Sequence, residues 1–409
     1  MTLEIRPVRD EELADFIFAN AYAFNQDRRP DALAVAVARS RAYVPLEWSL
    51  AGFAEGRLVA GMRIMPLTMR IDGAPLAMAA IGGVASLPEH RRHGYVGALL
   101  RRALADMRER GQTISALYTP HVPLYRRYGW EIAARNLRLT FAPKEVKTLV
   151  APPSEGRFRR VMADEWQTLN DLYEAYSVER NCVLVRSESW WRDWVFGRER
   201  DTPDAALWED GEGRPRGYVL YYTRRAELPD RPWPSSRLWV RELATQDGNA
   251  YVALVNYLLS HDIHEKIEWL ASPDEPLLGL LDDPQRVRTE AWSALMLRVV
   301  DVPAALRARG CSAQADGRRF VLGVRDAVAP WNEGAWRIEA QGGRLEVVAD
   351  GGPAYLVADA AVLAPIFNGH LSPREAARIG RLQVENESAL EAASAIFSVR
   401  HSPFCFDWF

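Results

Sequence analysis

The chain is 409 residues long, enough for two to four domains that each bury a core. Hydrophobic residues make up 48% and charged residues 26%, with a net charge of −3, which describes a soluble globular chain and gives no reason to expect nucleic acid as a partner. No apolar run approaches the roughly 18 residues of a membrane span. The N-terminus shows no basic and apolar leader, and the 3 cysteines, Cys182, Cys311 and Cys405, are far apart, which points to a reducing cytoplasm without a disulfide framework.

Residues 3–8 read as a strand, and Asp10 is a good N-cap for a helix with Leu13, Phe16, Ile17 and Phe24 at its apolar positions. Two pairs of strands follow: 50–54 with 58–65 around Glu55-Gly56, and 67–71 with 76–84 around Asp72-Gly73, a two-residue hairpin signal. A helix then carries Leu99, Leu100, Ala103, Leu104 and Met107 and ends at Gly111. Residues 113–118 form a strand, 122–128 a short helix stopped by Gly129, and 137–141 a strand that closes the unit. After a linker at Ala151-Pro152-Pro153, the same order recurs: a helix with Trp166, Leu169, Leu172 and Tyr176, strands at 205–208, 217–223 and 238–244, a helix at 250–259, and a strand at 267–270. This reads as a degenerate repeat of the first unit. A third pattern begins near Leu297, with four strands, four helices and the aromatic tail Pro403-Phe404-Cys405-Phe406-Asp407-Trp408-Phe409. The expected domains are 1–147, 148–296 and 297–409, in a mixed α/β (α+β) fold. The 14 tryptophans call for large aromatic packing surfaces, in cores or between subunits.

The run Arg91-Arg92-His93-Gly94-Tyr95-Val96-Gly97-Ala98-Leu99-Leu100 follows an apolar strand and opens a helix. Such a junction aims free backbone N–H groups and the positive helix end at one spot, and with flanking arginines it suits a pyrophosphate. The phosphate loops of nucleotide-binding proteins and the G-x-S-x-G elbow are absent. His261 and His264 lack the rest of a zinc-ligand set and read as a solvated helix end, so no metal is expected.

Arg91-x-x-Gly94 resembles motif A of the GCN5-related N-acetyltransferases (GNAT), [RQ]-x-x-G-x-[GA], with Val96 where Gly or Ala is usual. Ile81-Gly82-Gly83-Val84-Ala85-Ser86-Leu87 suits that family's splayed strand, and Tyr125-Arg126-Arg127-Tyr128-Gly129-Trp130 resembles its Y-x-x-x-G-[FYW] signature. With the Leu-Arg-Val-Val-Asp-Val-Pro boundary and the aromatic C-terminus, the whole chain resembles the enhanced-intracellular-survival (Eis) branch. That resemblance implies two tandem GNAT domains followed by a sterol-carrier-protein-like domain, with acetyl-CoA bound only by the first. Glu242-Leu243-Ala244-Thr245-Gln246-Asp247-Gly248-Asn249 has no arginine–glycine motif at the matching place.

By the same resemblance, Val84, Ala85 and Ser86 would meet pantetheine. Arg91, Arg92, His93, Gly94, Tyr95 and Val96 would surround the pyrophosphate. Tyr125 would be the general acid, with Tyr118 a less favoured substitute, and the terminal carboxylate of Phe409 the base. A terminal carboxylate is ionised at neutral pH and accepts only. Asp407 would add charge attractive to a cationic amine, and Phe24, Asp27 and Trp48 would wall the pocket. The acceptor implied is a primary amine of an aminoglycoside-like polyamine or a lysine, and the assembly implied is a homo-oligomer, a hexamer. Two rival readings are an acyltransferase with another acyl-CoA donor, as in the N-myristoyltransferases, and a lipid- or partner-binding protein with a vestigial first domain.

Overall fold

The computed structural model describes residues 3–197, 202–226 and 235–409; Met1 and Thr2, at the start of the expected first domain, lie outside them. The first segment holds β1 (Leu3–Pro7), α1 (Leu13–Ala23), α2 (Pro30–Tyr43), β2 (Ser49–Ala54), β3 (Arg57–Ile71), β4 (Ala74–Ser86), α3 (Tyr95–Glu109), β5 (Ile114–Tyr118), α4 (Val122–Arg126), β6 (Glu131–Ile132) and β7 (Arg135–Phe141). Both expected turns are present. Glu55 and Gly56, then Asp72 and Gly73, take positive φ in succession, the conformation whose twist matches a hairpin. Strand β3 runs unbroken through Pro66, which sits in the gap between its pairing with β2 and with the later strand at 183–184. Proline is tolerated at such an unpaired edge.

The second segment holds β8 (Arg157–Val161), α5 (Trp166–Ser177), β9 (Val183–Leu184), a π-helical turn (Trp190–Val195), β10 (Asp204–Glu209), β11 (Pro215–Ala226), β12 (Ser235–Thr245), α6 (Gly248–Leu259), β13 (Lys266–Ala271), α7 (Leu277–Leu280), β14 (Arg288–Ser293) and β15 (Leu295–Val299). The third holds α8 (Val302–Ala308), β16 (Arg319–Arg325), β17 (Gly334–Gln341), β18 (Arg344–Asp350), β19 (Leu356–Asp359), α9 (Ala360–Phe367), α10 (Pro373–Arg378), β20 (Leu382–Val384) and α11 (Glu387–Ile396).

The first sheet runs β1-β2-β3-β4-β5-β15-β6, and the second β14-β7-β13-β12-β11-β10-β8. In each, one pair is parallel: β4 with β5, and β12 with β13. Internal repetition was therefore legible in the sequence. The placing of two strands was not. Residues 137–141, expected to close the first unit, lie in β7, which pairs with β13 and β14 of the second sheet. Leu297, expected to begin the third pattern, lies in β15, which pairs with β5 and β6 of the first sheet. Each sheet thus takes a strand from the other's segment. β7 alternates Leu137, Leu139 and Phe141, and β15 is buried at every position; such patterns fix which faces of a strand are buried without fixing its neighbour.

Leu99, Leu100, Ala103, Leu104 and Met107 of α3 are fully buried against Leu50, Met62, Ile64, Ala79 and Ile81 on one face of the first sheet. Each such side chain is worth about 1.5–3 kcal/mol against exposure. The opposite face, with Met65, Met69, Met78 and Ala80, joins a core that continues through Leu169 and Tyr173 to Phe404 and Phe406 of the tail. In the third domain Phe320, Leu322, Ile338, Leu363, Phe367 and Ile396 fill the space between sheet and helices.

Candidate active site

Strands β4 and β5 pair only from Met78–Ile114 to Ile81–Leu117. From Gly82 onward the β5-facing edge of β4 has no strand partner, so the two strands open like a V. The register of β3 on β4 also shifts there, between Gly61 and Arg63. Gly83 takes φ +59°, and a Cβ there would lie 2.7 Å from Asn20 Nδ2, which donates to Gly83 O at 2.7 Å. Only glycine fits a left-handed residue so closely covered. Helix α1 thereby pins the bulge that leaves Val84, Ala85 and Ser86 beyond the paired stretch.

The loop after β4 has Arg92 at φ +67° and Gly94, the N-cap of α3, at φ +80°. The N–H groups of Tyr95, Val96 and Gly97 precede the first intrahelical bond, from Ala98 N to Gly94 O at 3.1 Å. No side chain caps them, and the first turn holds no acidic residue. Arg91, Arg92 and His93 are exposed around this opening, and His93 stacks on Tyr95 at 5.5 Å. Val96 sits half-buried against the α3 core, so it leaves the backbone donors in place.

Tyr125 lies on α4, buried edge-on to Trp130, in the same cluster as Val84, Tyr95 and Val96. Burial pushes its phenol up to about 12, partly offset by a hydrogen bond with Thr119. Tyr118, at the end of β5, donates its OH to Asp407 O at 2.8 Å, and burial raises its pKa well above the usual phenol value. A proton committed to that carbonyl makes Tyr118 the poorer donor of the two.

The tail crosses all three units. Phe404 N donates to Asn181 O at 3.1 Å, Phe406 packs at 6.0 Å from Tyr176, Trp408 stacks on Tyr118 at 4.5 Å, and the Phe409 ring lies 5.1 Å from Tyr118. The carboxyl carbon of Phe409 is 4.0 Å from where a Cβ on Gly82 would stand. The terminal carboxylate therefore lies at the mouth of the V between β4 and β5.

Four expected pocket residues lie elsewhere or have other partners. The Asp407 carboxylate, expected to attract a cationic amine, has partners within the fold. It is buried and accepts from Arg186 Nε at 3.0 Å and Trp190 Nε1 at 2.9 Å, while Arg186 also binds Glu242 with both terminal nitrogens at 2.9 and 2.5 Å. Arg241 approaches Asp407 at 3.6 Å, so two carboxylates meet two guanidinium groups. Trp48 packs under the Arg110 guanidinium at 4.1 Å, beside the C-terminus of α3. That is the far end of a helix about 22 Å long from the open N-terminus. Phe24 is exposed at the end of α1, and Asp27 is exposed and paired with Arg29 at 2.8 Å.

The second domain's equivalent junction is closed. Asp247 caps α6, its carboxylate accepting from Ala250 N at 2.9 Å. A side-chain anion occupies the helix end that α3 leaves free. His261 and His264 bond to Tyr257 O and Ser236 Oγ, and among the described residues no three His, Cys, Asp or Glu side chains gather as a metal group. No described helix is long and apolar enough to cross a membrane.

Gly97 went unremarked in the sequence as a functional position. A Cβ there would overlap Tyr128 Oη, so Gly97 lets Tyr128 seat the α4 segment against the first turn of α3. A glycine inside an otherwise sound helix was the available signal.

Residues 4–133 and 182–299 match two families described as acetyltransferase (GNAT) domain, and residues 302–406 match the sterol carrier protein domain. An uncharacterized N-acetyltransferase of Streptomyces griseus is 29% identical over 440 residues, spanning 100% of both chains. The N-acetyltransferase Eis of Mycobacterium tuberculosis is 27% identical over 359 residues, 85% of each chain. The fold is shared with a GCN5-related N-acetyltransferase from Anabaena variabilis, at TM-score 0.88 and 24% identity, and with Eis1 from Mycobacterium abscessus, at 0.83 and 24%, over 100% of both chains in each case. Two acetyltransferase domains in tandem, with a sterol carrier domain behind them, define an acetyltransferase of the fold that binds acetyl-CoA. The chain belongs to the Eis-like branch of the GCN5-related N-acetyltransferases.

Proposed function

We propose that the protein moves the acetyl group of acetyl-CoA directly to a primary amine, with residues 1–147 holding the donor, 148–296 serving as a degenerate partner domain, and 297–409 delivering the tail. The donor supplies a reactive thioester. The free edge of β4 at Val84, Ala85 and Ser86 suits the amide groups of pantetheine, and the uncapped start of α3 with Arg91, Arg92, His93, Gly94, Tyr95 and Val96 suits a pyrophosphate. Asp247 at the matching place in the second domain supports one such site per chain.

The observation that carries the reading is the Phe409 carboxyl carbon beside Gly82, where β4 leaves β5. In this reading that carboxylate takes the proton from the attacking ammonium, and Tyr125 Oη gives one to the departing sulfur. A phenol held at about 12 is protonated throughout the physiological range, as a proton donor requires. The experiment is coenzyme A release from acetyl-CoA with a panel of amines, run on the wild type and on a variant extended by three residues after Phe409. The extension removes the carboxylate from its place, so turnover is abolished while coenzyme A affinity is retained. Full turnover in the extended variant removes the terminus from the mechanism. No coenzyme A binding by the wild type removes the reading altogether.

A further inference from the structure

A cavity of about 350 Å³ opens in the second domain, with Phe406 and Trp408 of the tail in its wall. Trp190, Trp194, Trp239 and Trp292 line it as well, so five tryptophans meet around one space. Trp190 and Trp194 form a parallel stack at 4.9 Å. Trp408 is exposed, and Trp194, Trp239 and Trp292 are only half-buried, which leaves indole surface open to the cavity. Trp408 immediately precedes the terminal carboxylate and stacks on Tyr118 at 4.5 Å, so the cavity adjoins the place where the acetyl group would be passed on.

The charged groups of the wall are already engaged. Arg138 lies against Trp239 and Trp292, its guanidinium carbon 5.5 and 5.4 Å from the ring centres. Arg224 rests against Tyr222 and Trp239, at 5.7 and 5.4 Å. Arg241 is matched by Asp407 at 3.6 Å and donates to Val195 O and Tyr222 Oη. Guanidinium groups laid against rings extend a flat wall and do not mark an ion-pair site. Among the described residues no Asp or Glu lines the cavity, and Asp407 behind it is taken by Arg186, Trp190 and Arg241. The Phe409 carboxylate, one residue past Trp408, can meet a single ammonium. A second ammonium, deeper in the cavity, would find no carboxylate, whereas a flat apolar ring would cover the open indole surface.

We propose that this cavity holds the body of the acceptor, and that the acceptor is an arylalkylamine, one primary amine on a short chain that carries an uncharged aromatic ring. The amine's fate rests on the acetyl-transfer reading; the binding of the ring does not. In that reaction the amide C–N bond forms as the thioester C–S bond breaks, releasing coenzyme A as its thiol and one proton. The test compares tryptamine, hexylamine and spermidine as acceptors, with 3-ethylindole, which has no amine, as a calorimetric binding probe. Tryptamine is expected to exceed hexylamine in kcat/KM by about threefold to tenfold, the worth of one ring-on-ring contact, and spermidine by more. Trp292 is the residue to change, because it lies on β14, at the edge of the second sheet. Trp292→Ala should erase the lead over hexylamine through KM and weaken 3-ethylindole by a similar factor. Trp292→Phe, which keeps a ring, should recover part of both and controls for folding. If no amine turns over yet 3-ethylindole binds in a Trp292-dependent way, acetyl transfer falls and the aromatic site stands. If amines turn over with hexylamine or spermidine level with tryptamine or ahead of it, the proposal is overturned. It is overturned equally if 3-ethylindole fails to bind, or binds with an affinity indifferent to Trp292→Ala.

Discussion

Asp407→Ala removes the carboxylate to which Arg186 and Trp190 both donate, two residues before the proposed base. Breaking a buried ion pair by deleting one partner costs about 3–5 kcal/mol. Arg186 keeps both contacts to Glu242, so the lower end applies. About 3 kcal/mol lowers the ratio of docked to undocked tail by roughly 150-fold. The loss falls on the tail and spares the first domain, because neither Arg186 nor Trp190 belongs to the donor site. Expected, therefore, are a fall in kcat of at least about tenfold, a coenzyme A affinity by calorimetry within about twofold of wild type, and faster trimming by carboxypeptidase. Asp407→Asn, which keeps the shape and an acceptor for Trp190, should fall between. A variant with wild-type kcat and a tail equally resistant to carboxypeptidase would refute the idea that this buried charge cluster holds the terminus in place.

Tyr125→Phe should lower kcat by roughly 10²–10⁴-fold with KM for acetyl-CoA little changed. In the wild type a phenol held at about 12 gives no alkaline fall in kcat below about pH 10 on its account, and an earlier limb that survives in Tyr125→Phe would belong to another group. Gly97→Ala forces a methyl into Tyr128 Oη and should destabilise by about 1–3 kcal/mol in a thermal melt. The loss should be relieved in the double variant with Tyr128→Ala. Burial raises the Glu275 carboxyl from 4.5 to about 7, with Tyr251 Oη donating to it at 2.5 Å. The folded state then holds the extra proton between those values, so this group's contribution is full below about pH 4.5 and is lost as pH rises through 7. Glu275→Gln should be more stable than wild type by about 3 kcal/mol at pH 8 and equal to it at pH 4.5; an advantage independent of pH would point to packing instead.

The local chemistry of the site was legible because it is written in short stretches. Glu55-Gly56, Asp72-Gly73 and Arg91-x-x-Gly94 each fix a turn or a helix start through backbone φ or a missing side chain, and each lies where the sequence puts it. Helix α2 escaped notice because residues 32–38 are one unbroken run of Ala, Leu and Val, which gives no helical stripe. What joins distant segments was not legible. Asp407 looked free for a ligand because Arg186, Trp190 and Glu242 are far away in the chain, and Trp48 looked like a pocket wall until Arg110 closed over it. The cavity walled by Trp190, Trp239, Trp292 and Trp408 draws on strands of both sheets' segments and on the tail, so no window of sequence contains it.

The exchange of β7 and β15 also bears on how the chain is made. During synthesis β5 emerges with an unpaired edge, and the strand that covers it, Leu295–Val299, is some 180 residues away. At 5–20 residues per second the nascent first domain waits on the order of 10 to 40 s for its sheet to be completed, while β7 waits beside it for β13. An exposed strand edge invites pairing with a neighbouring nascent chain. The ribosome-bound intermediate therefore calls for chaperone cover over that interval, and the first domain expressed alone is the form most prone to aggregate.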